Sequence, residues 1–382
     1  MGHPTECSRK TFGLGCIFKM KALLVSGIYP PDVGGPATYI PKIAARMIDQ
    51  GIDVEVLTLR NQESLIPFSP HRVNFVAREG LLILRMLRVI LLSIKKLRQS
   101  DAVLANGLHQ EIAVGLCFSS ARGIAKIVGD PVWERARNKG ETQVTMSEFK
   151  KLSRRQRFER ILLVWSLNKY DLVICPSVEL TEMVKFWGVK SEVKYIPNGV
   201  PEANQPALIK QYDVCSASRL VKWKNIDRII DACSLAGVTL AVAGDGPEIS
   251  SLESRSLEVP SRIDFLGLLD DSQVDELLGK SSVFVLFSDY EGLSFGLLKA
   301  MSLGMPIVVS DAPGNLEVLE DRADCIVVPR GDTRKLSVAI RELLDNPELA
   351  EELGASALKK VKNNYSEAVL LDRVICLLKA AS

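Results

Sequence analysis

The sequence has few of the residues that build metal or redox centres. Among its 382 residues there are three histidines, and its eight cysteines are spread singly along the chain without a CxxC pair. Clustered histidines and closely spaced cysteines are the usual signatures of zinc sites and disulfide frameworks. We therefore expect reduced, buried cysteines in a cytoplasmic protein and no bound metal.

Long apolar runs, repeats and low-complexity segments are also missing. A membrane-spanning helix needs roughly 18 uninterrupted apolar residues, and the longest candidate, residues 81–92, is broken by Arg85 and Arg88. Residues 1–19 lack the apolar core and cleavage site of a signal peptide. We interpret them as a disordered extension and expect the fold to begin near Met20. The absence of repeats and charged tails argues against a solenoid or a nucleic-acid-binding protein.

The two halves of the chain carry opposite charge. Residues 1–200 contain 29 Lys and Arg against 18 Asp and Glu, whereas residues 201–382 contain 19 against 28. A basic half can face phosphates or an anionic membrane surface. Two domains that attract each other across a cleft explain the asymmetry equally well.

Short apolar runs alternate with longer segments of helical period, which is typical of parallel sheets wrapped by helices. A chain of this length, with 47% hydrophobic residues, exceeds one ordinary core, so we expect two comparable domains. The predicted strands are 22–26, 54–57, 102–105, 125–128 and 172–175 in the first half and 214–218, 240–243, 263–266, 283–286, 307–310 and 325–328 in the second.

The domain boundary is predicted near residues 195–201, where two prolines and an Asn-Gly step follow a strand. We assign residues 20–197 to the first domain and 198–365 to the second. An apolar stripe predicts a last helix within residues 366–382. This helix either packs back on the first domain or stays within the second.

A carboxylate and two glycines precede a predicted helix in the second domain. The segment 291–301 begins with Glu291, follows a strand and opens a helix. Free amide hydrogens and the helix dipole make such a terminus an anion site, and Gly292 and Gly296 permit close approach of a diphosphate. Ser294 is also a natural helix cap, so a purely structural turn is the alternative.

Two cations follow the first strand of the second domain. Arg219 and Lys224 lie in a loop at the carboxyl edge of the predicted sheet, where open α/β sheets bind ligands. They can converge on one diphosphate and offset the charge that grows on a leaving group. A solvated surface loop is the alternative. Tight turns at 244–247 and 265–267 lie at the same edge.

Three places in the first domain are candidates for the cleft. Gly34 and Gly35 lie in a loop that opens a helix, without the GxGxxG pattern of dinucleotide-binding folds. His109 follows a strand at the sheet edge, although a lone histidine is more often structural. Asp130 is the first polar residue after the next predicted strand, 125–128.

In order and spacing these motifs resemble retaining glycosyltransferase family 4, the glycosyl transferases group 1. The resemblance extends from Met20 to the C-terminus, and it implies the GT-B fold. In that fold two Rossmann-like, doubly wound parallel-sheet domains face a cleft, with the acceptor on the first domain and the nucleotide sugar on the second. The resemblance is carried by Arg219 with Lys224 and by residues 244–247, 265–267 and 291–301.

The resemblance also implies an activity and its residues. It implies a hexosyltransferase-type enzyme that retains anomeric configuration by front-face substitution, with a donor phosphate oxygen helping to take the acceptor proton. Neither a metal nor a cofactor is implied besides the nucleotide diphosphate sugar. The implied catalytic residues are Glu291, which would hydrogen-bond the donor sugar, Arg219 and Lys224. Asp130 is the polar residue nearest to the place where many family members have a histidine that contacts the donor sugar, and His109 is a catalytic candidate from its position at the sheet edge. The implied donor-binding residues are Gly34, Gly35, Arg219, Lys224, Gly246, Leu266, Gly292, Leu293, Ser294 and Lys299.

One position departs from the family pattern. The family repeats a glutamate eight positions after the first, where it binds ribose hydroxyls, and this sequence has Lys299. Lysine has no acceptor for a hydroxyl proton. Either the ribose is held otherwise, or Lys299 reaches a phosphate, or donor affinity is weakened. The last option keeps a donor-binding pseudoenzyme open, and a nucleotide-sugar epimerase of the same fold is the rival enzyme.

Two basic and apolar stretches, 85–98 and 150–169, suit contact with an anionic membrane. Such contact fits an enzyme of cell-surface polysaccharide or glycoconjugate biosynthesis whose acceptor is a glycan, a lipid-linked molecule or a small molecule. Ordinary sheet-covering helices with a basic outer face are the alternative. The expected location is cytoplasmic, with peripheral contact at the inner face of the membrane as a further expectation.

Overall fold

The structure is a computed structural model that describes residues 20–32, 34–61, 69–203 and 209–380. Within these residues the strands form two separate parallel sheets. The predicted fold class, two doubly wound α/β domains, is therefore confirmed. The predicted extension at residues 1–19 and the last two positions of the predicted segment 366–382 lie outside the described residues.

The first domain is built on a seven-stranded sheet in the described part of the chain. Its strands are β1 Lys21–Ser26, β2 Asp53–Arg60, β3 Arg72–Ala77, β4 Ala102–Asn106, β5 Arg122–Lys126, β6 Leu172–Cys175 and β7 Glu192–Tyr195. Its helices are α1 Gly35–Asp49, α2 Leu82–Leu97, α3 His109–Leu116, α4 Pro131–Asn138, α5 Arg154–Leu167 and α6 Val178–Phe186. The strand order is β3-β2-β1-β4-β5-β6-β7, with the helices on both faces.

The second domain repeats this plan with a six-stranded sheet, counted over the same described ranges. Its strands are β8 Tyr212–Ala217, β9 Leu240–Ala243, β10 Ile263–Gly267, β11 Ser281–Leu286, β12 Ile307–Ser310 and β13 Ile326–Val328, in the order β10-β9-β8-β11-β12-β13. A 3-10 turn at Lys222–Lys224 is followed by α7 Ile226–Ala236, α8 Ile249–Ser256, α9 Asp271–Gly279, α10 Phe295–Ser302, α11 Pro313–Leu316, α12 Thr333–Asp345, α13 Pro347–Asn364 and α14 Glu367–Lys379.

The central strands are buried on both faces, which is why they read as short continuous apolar runs in the sequence. The predicted strands do not include β3 or give bounds for β7, the two edge strands of the first sheet, although the predicted boundary follows a strand where β7 ends. Each carries polar residues and is only partly buried, so its pattern lacks an apolar run. The strand predicted at 125–128 is displaced to Arg122–Lys126, because its first half contains an arginine and a glycine.

The last helix, α14, packs on the first domain although it follows the second in sequence. Val374 and Ile375 are buried in the same core cluster as Ile40 and Ile43 of α1. The carboxylate of Asp372 accepts a hydrogen bond of 2.8 Å from Nε of Arg46. Of the two placements open from the sequence, the structure has the one that returns the chain to the first domain.

The two domains also meet directly beside the cleft. The Trp133 ring of α4 packs against the rings of Trp223 and Tyr290, with centroids 5.2 and 5.5 Å away. The chain passes from the first sheet to the second between β7 and β8. The predicted boundary between residues 197 and 198 falls within this passage and stays a prediction.

Candidate functional site

A cavity of about 430 Å³ lies between the two domains. Its first-domain wall comes from the start of α1, the ends of β4 and β5 and the first turn of α4. Its second-domain wall comes from the loops after β8, β9 and β10 and from the start of α10. These are the carboxyl ends of the strands, where loops and helix N-termini form the ligand sites of open α/β sheets.

The first-domain wall includes a glycine turn that precedes α1. Gly34 has φ of +147°, a conformation that side chains rarely adopt, and a Cβ there would lie 2.9 Å from Cδ1 of Ile28. A Cβ on Gly35 would lie 3.7 Å from the ring of Phe295 in the second domain. Glycine is therefore required at position 34 by the turn itself, whereas Gly35 lies within ordinary contact distance of the start of α10 in the other domain.

The start of α10 forms the opposite wall. Ser294 caps this helix, because its Oγ accepts a hydrogen bond of 3.3 Å from the Leu297 amide. A Cβ on Gly296 would lie 2.7 Å from the Ala217 carbonyl oxygen, and one on Gly292 would lie 3.0 Å from that of Val128. The glycines are thus needed for close backbone packing, and the free amides of the first turn remain next to the cavity.

A buried ion pair lies between these walls. Nζ of Lys224 contacts Oε1 of Glu291, and both side chains are almost fully buried. Oγ of Ser288 donates a hydrogen bond of 2.6 Å to the same carboxylate oxygen. The lysine charge is therefore balanced within the protein, while both side chains line the cavity.

The loop that carries Lys224 is held by Asn225, which has a left-handed backbone conformation with φ of 50°. Its Nδ2 donates hydrogen bonds to the carbonyl of Phe287, at 3.1 Å, and to Oδ1 of Asp289, at 2.8 Å. Asp289 in turn accepts a hydrogen bond of 2.8 Å from Arg137 of the first domain. The loop is thus positioned by both domains.

Arg219 is the most solvent-exposed of the cations discussed at this site. Its side chain is 56% exposed and its guanidinium lies 5.8 Å from the ring centroid of Trp223. It faces Glu134 of α4 across the cleft, at 3.8 Å. Burial raises the pKa of Glu134, an effect that the positive charge of Arg219 opposes. A Cβ on Gly129 would lie 2.4 Å from Oε1 of Glu134, so the glycine leaves room for this carboxylate.

Polar groups on the first-domain wall lack partners among the described residues. They are Nζ of Lys126, the hydroxyl of Tyr39 and Nδ2 of Asn106, all buried and all on side chains that line the cavity. Most buried polar groups in proteins are hydrogen-bonded. Orphaned donors at the wall of a cavity are therefore candidates for contacts with a ligand.

Comparison with known families divides the chain at the same place as its two sheets. A family profile described as Glycosyltransferase Family 4 matches residues 33–204, and one described as Glycosyl transferases group 1 matches residues 202–360. The chain belongs to the group 1 glycosyltransferases of family 4. The family predicted from the motifs is thereby confirmed.

The individual relatives of this chain are distant in sequence. The lipopolysaccharide core biosynthesis glycosyltransferase LpsD of Rhizobium meliloti is 26% identical over 216 residues, 54% of this chain and 62% of the relative. The alpha-D-kanosaminyltransferase of Streptomyces kanamyceticus is 31% identical over 137 residues, 35% of each chain. The match therefore spans less than two thirds of the length of these curated relatives.

Solved structures share the whole fold of this chain. Sucrose-phosphate synthase from Thermosynechococcus elongatus superposes with a TM-score of 0.76, is 18% identical and covers 95% of this chain and 100% of its own. Anabaena HepE, solved in complex with UDP and glucose, superposes with a TM-score of 0.75 at 16% identity and the same coverage. The overall fold is therefore GT-B, as predicted.

The cavity brings together most of the residues singled out in the sequence, although their roles in binding and catalysis stay predictions. Three predicted residues do not line it: His109, Asp130 and Leu266. Those that line it are Gly34, Gly35, Arg219, Lys224, Gly246, Glu291, Gly292, Leu293, Ser294 and Lys299.

The three residues outside the cavity make structural contacts in other parts of the protein. The His109 ring packs edge-on against Tyr170 at 6.2 Å, and burial lowers its pKa to about 4. Asp130 is fully buried, caps α4 by accepting from the Val132 amide at 2.9 Å, and pairs with Arg160. Leu266 packs into the second-domain core. The sequence placed these residues near a strand end but could not show which way each side chain points.

Lys299 lines the cavity, but its charge is already neutralised. Its Nζ donates hydrogen bonds to the carbonyl of Asp271 at 2.7 Å and to Oδ1 of Asp275 at 2.8 Å. The Asp271 carboxylate lies 3.7 Å from the same atom and 3.3 Å from Nζ of Lys42 in the first domain. The lysine that replaces the family's second glutamate is thus accompanied by two acidic residues on α9, one of which faces the cavity.

Several residues of the site were not found by sequence reasoning. Glu134 lies four residues after Asp130, which is about one helical turn. This spacing is the sequence signal that could have identified Glu134. Lys126 ends an otherwise apolar strand, and a charge in such a run is itself a signal. Lys42 and Asp271 gave none, because each meets its partner only across the cleft.

Within the described residues, no three or more His, Cys, Asp or Glu side chains are grouped closely enough to hold a metal ion. The cations next to the cavity belong to lysine and arginine side chains. The expectation that the protein uses neither a metal nor a cofactor stays a prediction.

Proposed function

We propose that this protein transfers a hexose-type sugar from a nucleotide diphosphate sugar to a glycan, lipid-linked or small-molecule acceptor. One observation carries the proposal: Arg219, the Lys224–Glu291 pair and the free amides at the start of α10 all face one cavity between two Rossmann-like domains. Cations and a helix N-terminus together suit a diphosphate. The complex of HepE with UDP supports a donor of this class.

The proposed chemistry is front-face transfer with retention of configuration, without a covalent protein nucleophile. Oε1 of Glu291 is engaged by Lys224 and Ser288, which suits a fixed acceptor of hydrogen bonds from the donor sugar. Arg219 is free to move onto the diphosphate, because its contact with Glu134 is long and exposed. Catalysis would then come from positioning and from electrostatic stabilisation of the leaving group.

We also propose that transfer needs no metal ion, since protein cations and helix amides offset the charge of the leaving diphosphate. Lipopolysaccharide core biosynthesis, in the name of LpsD, supports a role in cell-surface polysaccharide or glycoconjugate synthesis. The rival functions remain a nucleotide-sugar epimerase and a donor-binding pseudoenzyme. The pseudoenzyme is favoured only by Lys299, whose pairing with Asp275 leaves it no free charge for the donor.

The proposed location is cytoplasmic and peripheral to an anionic membrane. Among helices in the described residues, none has the length and apolar character needed to cross a bilayer. The outer face of α2 exposes Leu84, Leu87 and Leu91 together with Arg88 and Lys95. It is therefore apolar as well as basic, unlike the purely basic outer face of an ordinary sheet-covering helix.

Helix α5 continues the same surface. It exposes Phe158, Ile161 and Trp165 between Arg154 at its start and Lys169 just beyond its end. Helix α3 packs between α2 and α5, so all three cover one side of the first sheet. Apolar side chains flanked by Lys and Arg favour the interface of an anionic bilayer.

The function is tested with a panel of UDP- and GDP-sugars and simple acceptors. We expect one nucleoside diphosphate to raise the melting temperature, and its sugar to be transferred with the anomeric configuration of the donor, in excess EDTA as well as without it. An isomerised sugar without acceptor would identify an epimerase. Nucleotide binding without any turnover would identify a pseudoenzyme, and activity that EDTA removes and Mg²⁺ restores would overturn metal independence.

A further inference from the structure

Lys126, the last residue of β5, is a buried cation without a counter-ion. Its side chain is 2% exposed, and its Nζ has neither a hydrogen bond nor an ion pair with any described residue. The ammonium lies 4.2 Å from the ring centroid of Tyr39, which supplies only a cation–π contact. Burial lowers the pKa of Lys126 to about 8, as expected for a charge in a poorly solvated place.

The other lysines that line the cavity each have a carboxylate partner. Lys224 pairs with Glu291, Lys299 pairs with Asp275, and Lys42 contacts carboxylates on α9 and α14. Burying an ammonium without a partner is unfavourable, and such groups are normally paired. Lys126 is therefore the exception among the lysines that line this cavity, within the part of the chain that the structure describes.

Two further donors lie on the same wall. The Tyr39 hydroxyl and Nδ2 of Asn106 are buried and lack a partner among the described residues, and both side chains line the cavity. Together with Lys126 they come from α1, β4 and β5, three neighbouring elements of the first domain. This wall therefore presents one positive charge and two neutral donors with no acceptor assigned to them.

We infer that Lys126, with Tyr39 and Asn106, forms a subsite for an anionic group of the acceptor, a carboxylate or a phosphate. The inference rests on the proposed function, because it names the chemistry of the acceptor. In the proposed function, the donor diphosphate already has its binding groups, Arg219 and the amides of the α10 N-terminus, on the opposite wall. The anionic group supplies the missing counter-ion and accepts the unused hydrogen bonds.

The first test is the stability of Lys126→Met, which keeps the length of the side chain and removes its charge. If the ammonium is held for a ligand, the variant melts at the same temperature as the wild type or higher, because an unpaired buried charge has been removed. A fall of several degrees would show that Lys126 supports the fold and would overturn the inference. Lys139→Met, at an exposed position, controls for loss of charge alone.

The second test is binding, measured by titration with glucuronic acid, glucose 6-phosphate and glucose. The wild type should bind one or both anionic sugars at least about tenfold more tightly than glucose, the size expected for hydrogen bonds to a charged group. Lys126→Met should lose this preference, whereas Lys139→Met should keep it. A preference for glucuronic acid assigns a carboxylate to the subsite, and a preference for glucose 6-phosphate assigns a phosphate.

A crossed comparison separates the subsite from the donor site. Arg219→Ala should weaken UDP and leave the anionic sugars unaffected, whereas Lys126→Met should do the reverse. If Lys126→Met weakens UDP instead, the lysine serves the donor and the inference fails while the transferase proposal stands. If the wild type shows no preference for either anionic sugar, the subsite does not select anions and the inference also fails.

Discussion

The two walls of the cavity differ in how they hold positive charge. On the second domain Lys224 and Lys299 are each neutralised by a carboxylate of the same domain, and only Arg219 is largely exposed. On the first domain Lys42 is paired with carboxylates, but Lys126 is buried without any partner among the described residues. A paired lysine fixes geometry before a ligand arrives, whereas an unpaired one gains its counter-ion from the ligand. Under the proposed function, this difference distinguishes a preorganised donor wall on the second domain from an acceptor wall on the first domain that is completed by its substrate.

The outer surfaces of the two domains also differ, in charge and in exposed apolar side chains. The half of the chain that forms the first domain is basic, and helices α2 and α5 expose apolar side chains among arginines and lysines. The second half is acidic. Opposite net charge can attract two domains to each other, but it does not explain why exposed leucine, phenylalanine and tryptophan side chains are grouped on α2 and α5.

The largest effect is expected for Arg219→Ala, which removes the exposed cation of the donor wall. Turnover should fall by at least two orders of magnitude, because one preorganised donor to a developing negative charge is worth about 3 kcal/mol. Initial rates of the purified variant check this, with circular dichroism to confirm the fold. Arg262→Ala is the control, since Arg262 is exposed and pairs with Asp264 outside the cavity. An unchanged rate would contradict the diphosphate assignment of Arg219.

Breaking the preorganised pair should affect stability more than removing the unpaired lysine. Glu291→Gln leaves Lys224 buried with a weaker partner, and loss of one partner of a buried ion pair costs about 3 kcal/mol. We expect a lower melting temperature, in contrast to Lys126→Met. The double variant Glu291→Gln with Lys224→Met should recover part of the loss. Equal melting temperatures for Glu291→Gln and wild type would remove the distinction between the two walls.

The surface comparison is tested by co-sedimentation with vesicles of phosphatidylglycerol or phosphatidylcholine. The wild type should bind the anionic vesicles and lose binding at high salt, because interfacial charges are screened over about 8 Å at physiological ionic strength. Leu87→Ser with Trp165→Ser should lower binding roughly tenfold, since two partly buried apolar contacts are lost.

The matched control for this experiment lies on the second domain. Leu235 and Leu257 are 64% and 88% exposed, more than Leu87 and Trp165 at 50% and 41%. Because they lie outside the proposed membrane surface, Leu235→Ser with Leu257→Ser should bind the vesicles like the wild type. Equal binding to neutral and anionic vesicles would contradict the membrane assignment. If gel filtration shows that the wild type is a dimer and that the first-domain substitutions convert it to a monomer, the surface is assigned to self-association.

The smallest effect is expected at Lys299. Since its Nζ is engaged by Asp271 and Asp275, Lys299→Met should lower stability by about 1 kcal/mol and change nucleotide affinity little. Lys299→Glu should be more destabilising, because it places a third carboxylate beside those two. Thermal melts and calorimetry with UDP measure the two quantities. Tighter UDP binding by Lys299→Glu would instead show that the ribose lacks a carboxylate in the wild type.

Much of the fold and part of the site could be predicted from the sequence. The central strands are short apolar runs, because a strand covered on both faces needs apolar residues throughout. The turns around Gly34 and Gly292 and the positions of Arg219, Lys224 and Glu291 followed from motif order within the chain. The edge strands β3 and β7 were not delimited in advance, because they are paired on one side only and keep polar residues.

The sequence by itself therefore determined the two α/β domains, the edge of each sheet that forms the cavity and the cations of the donor wall, since these depend on local patterns. Only the tertiary structure decided which charges are paired. Asp130 meets Arg160, Lys299 meets Asp275, and Lys126 meets no carboxylate among the described residues. Ion pairs and orphaned charges are set by side chains that arrive from distant elements, and no local period or spacing encodes their meeting.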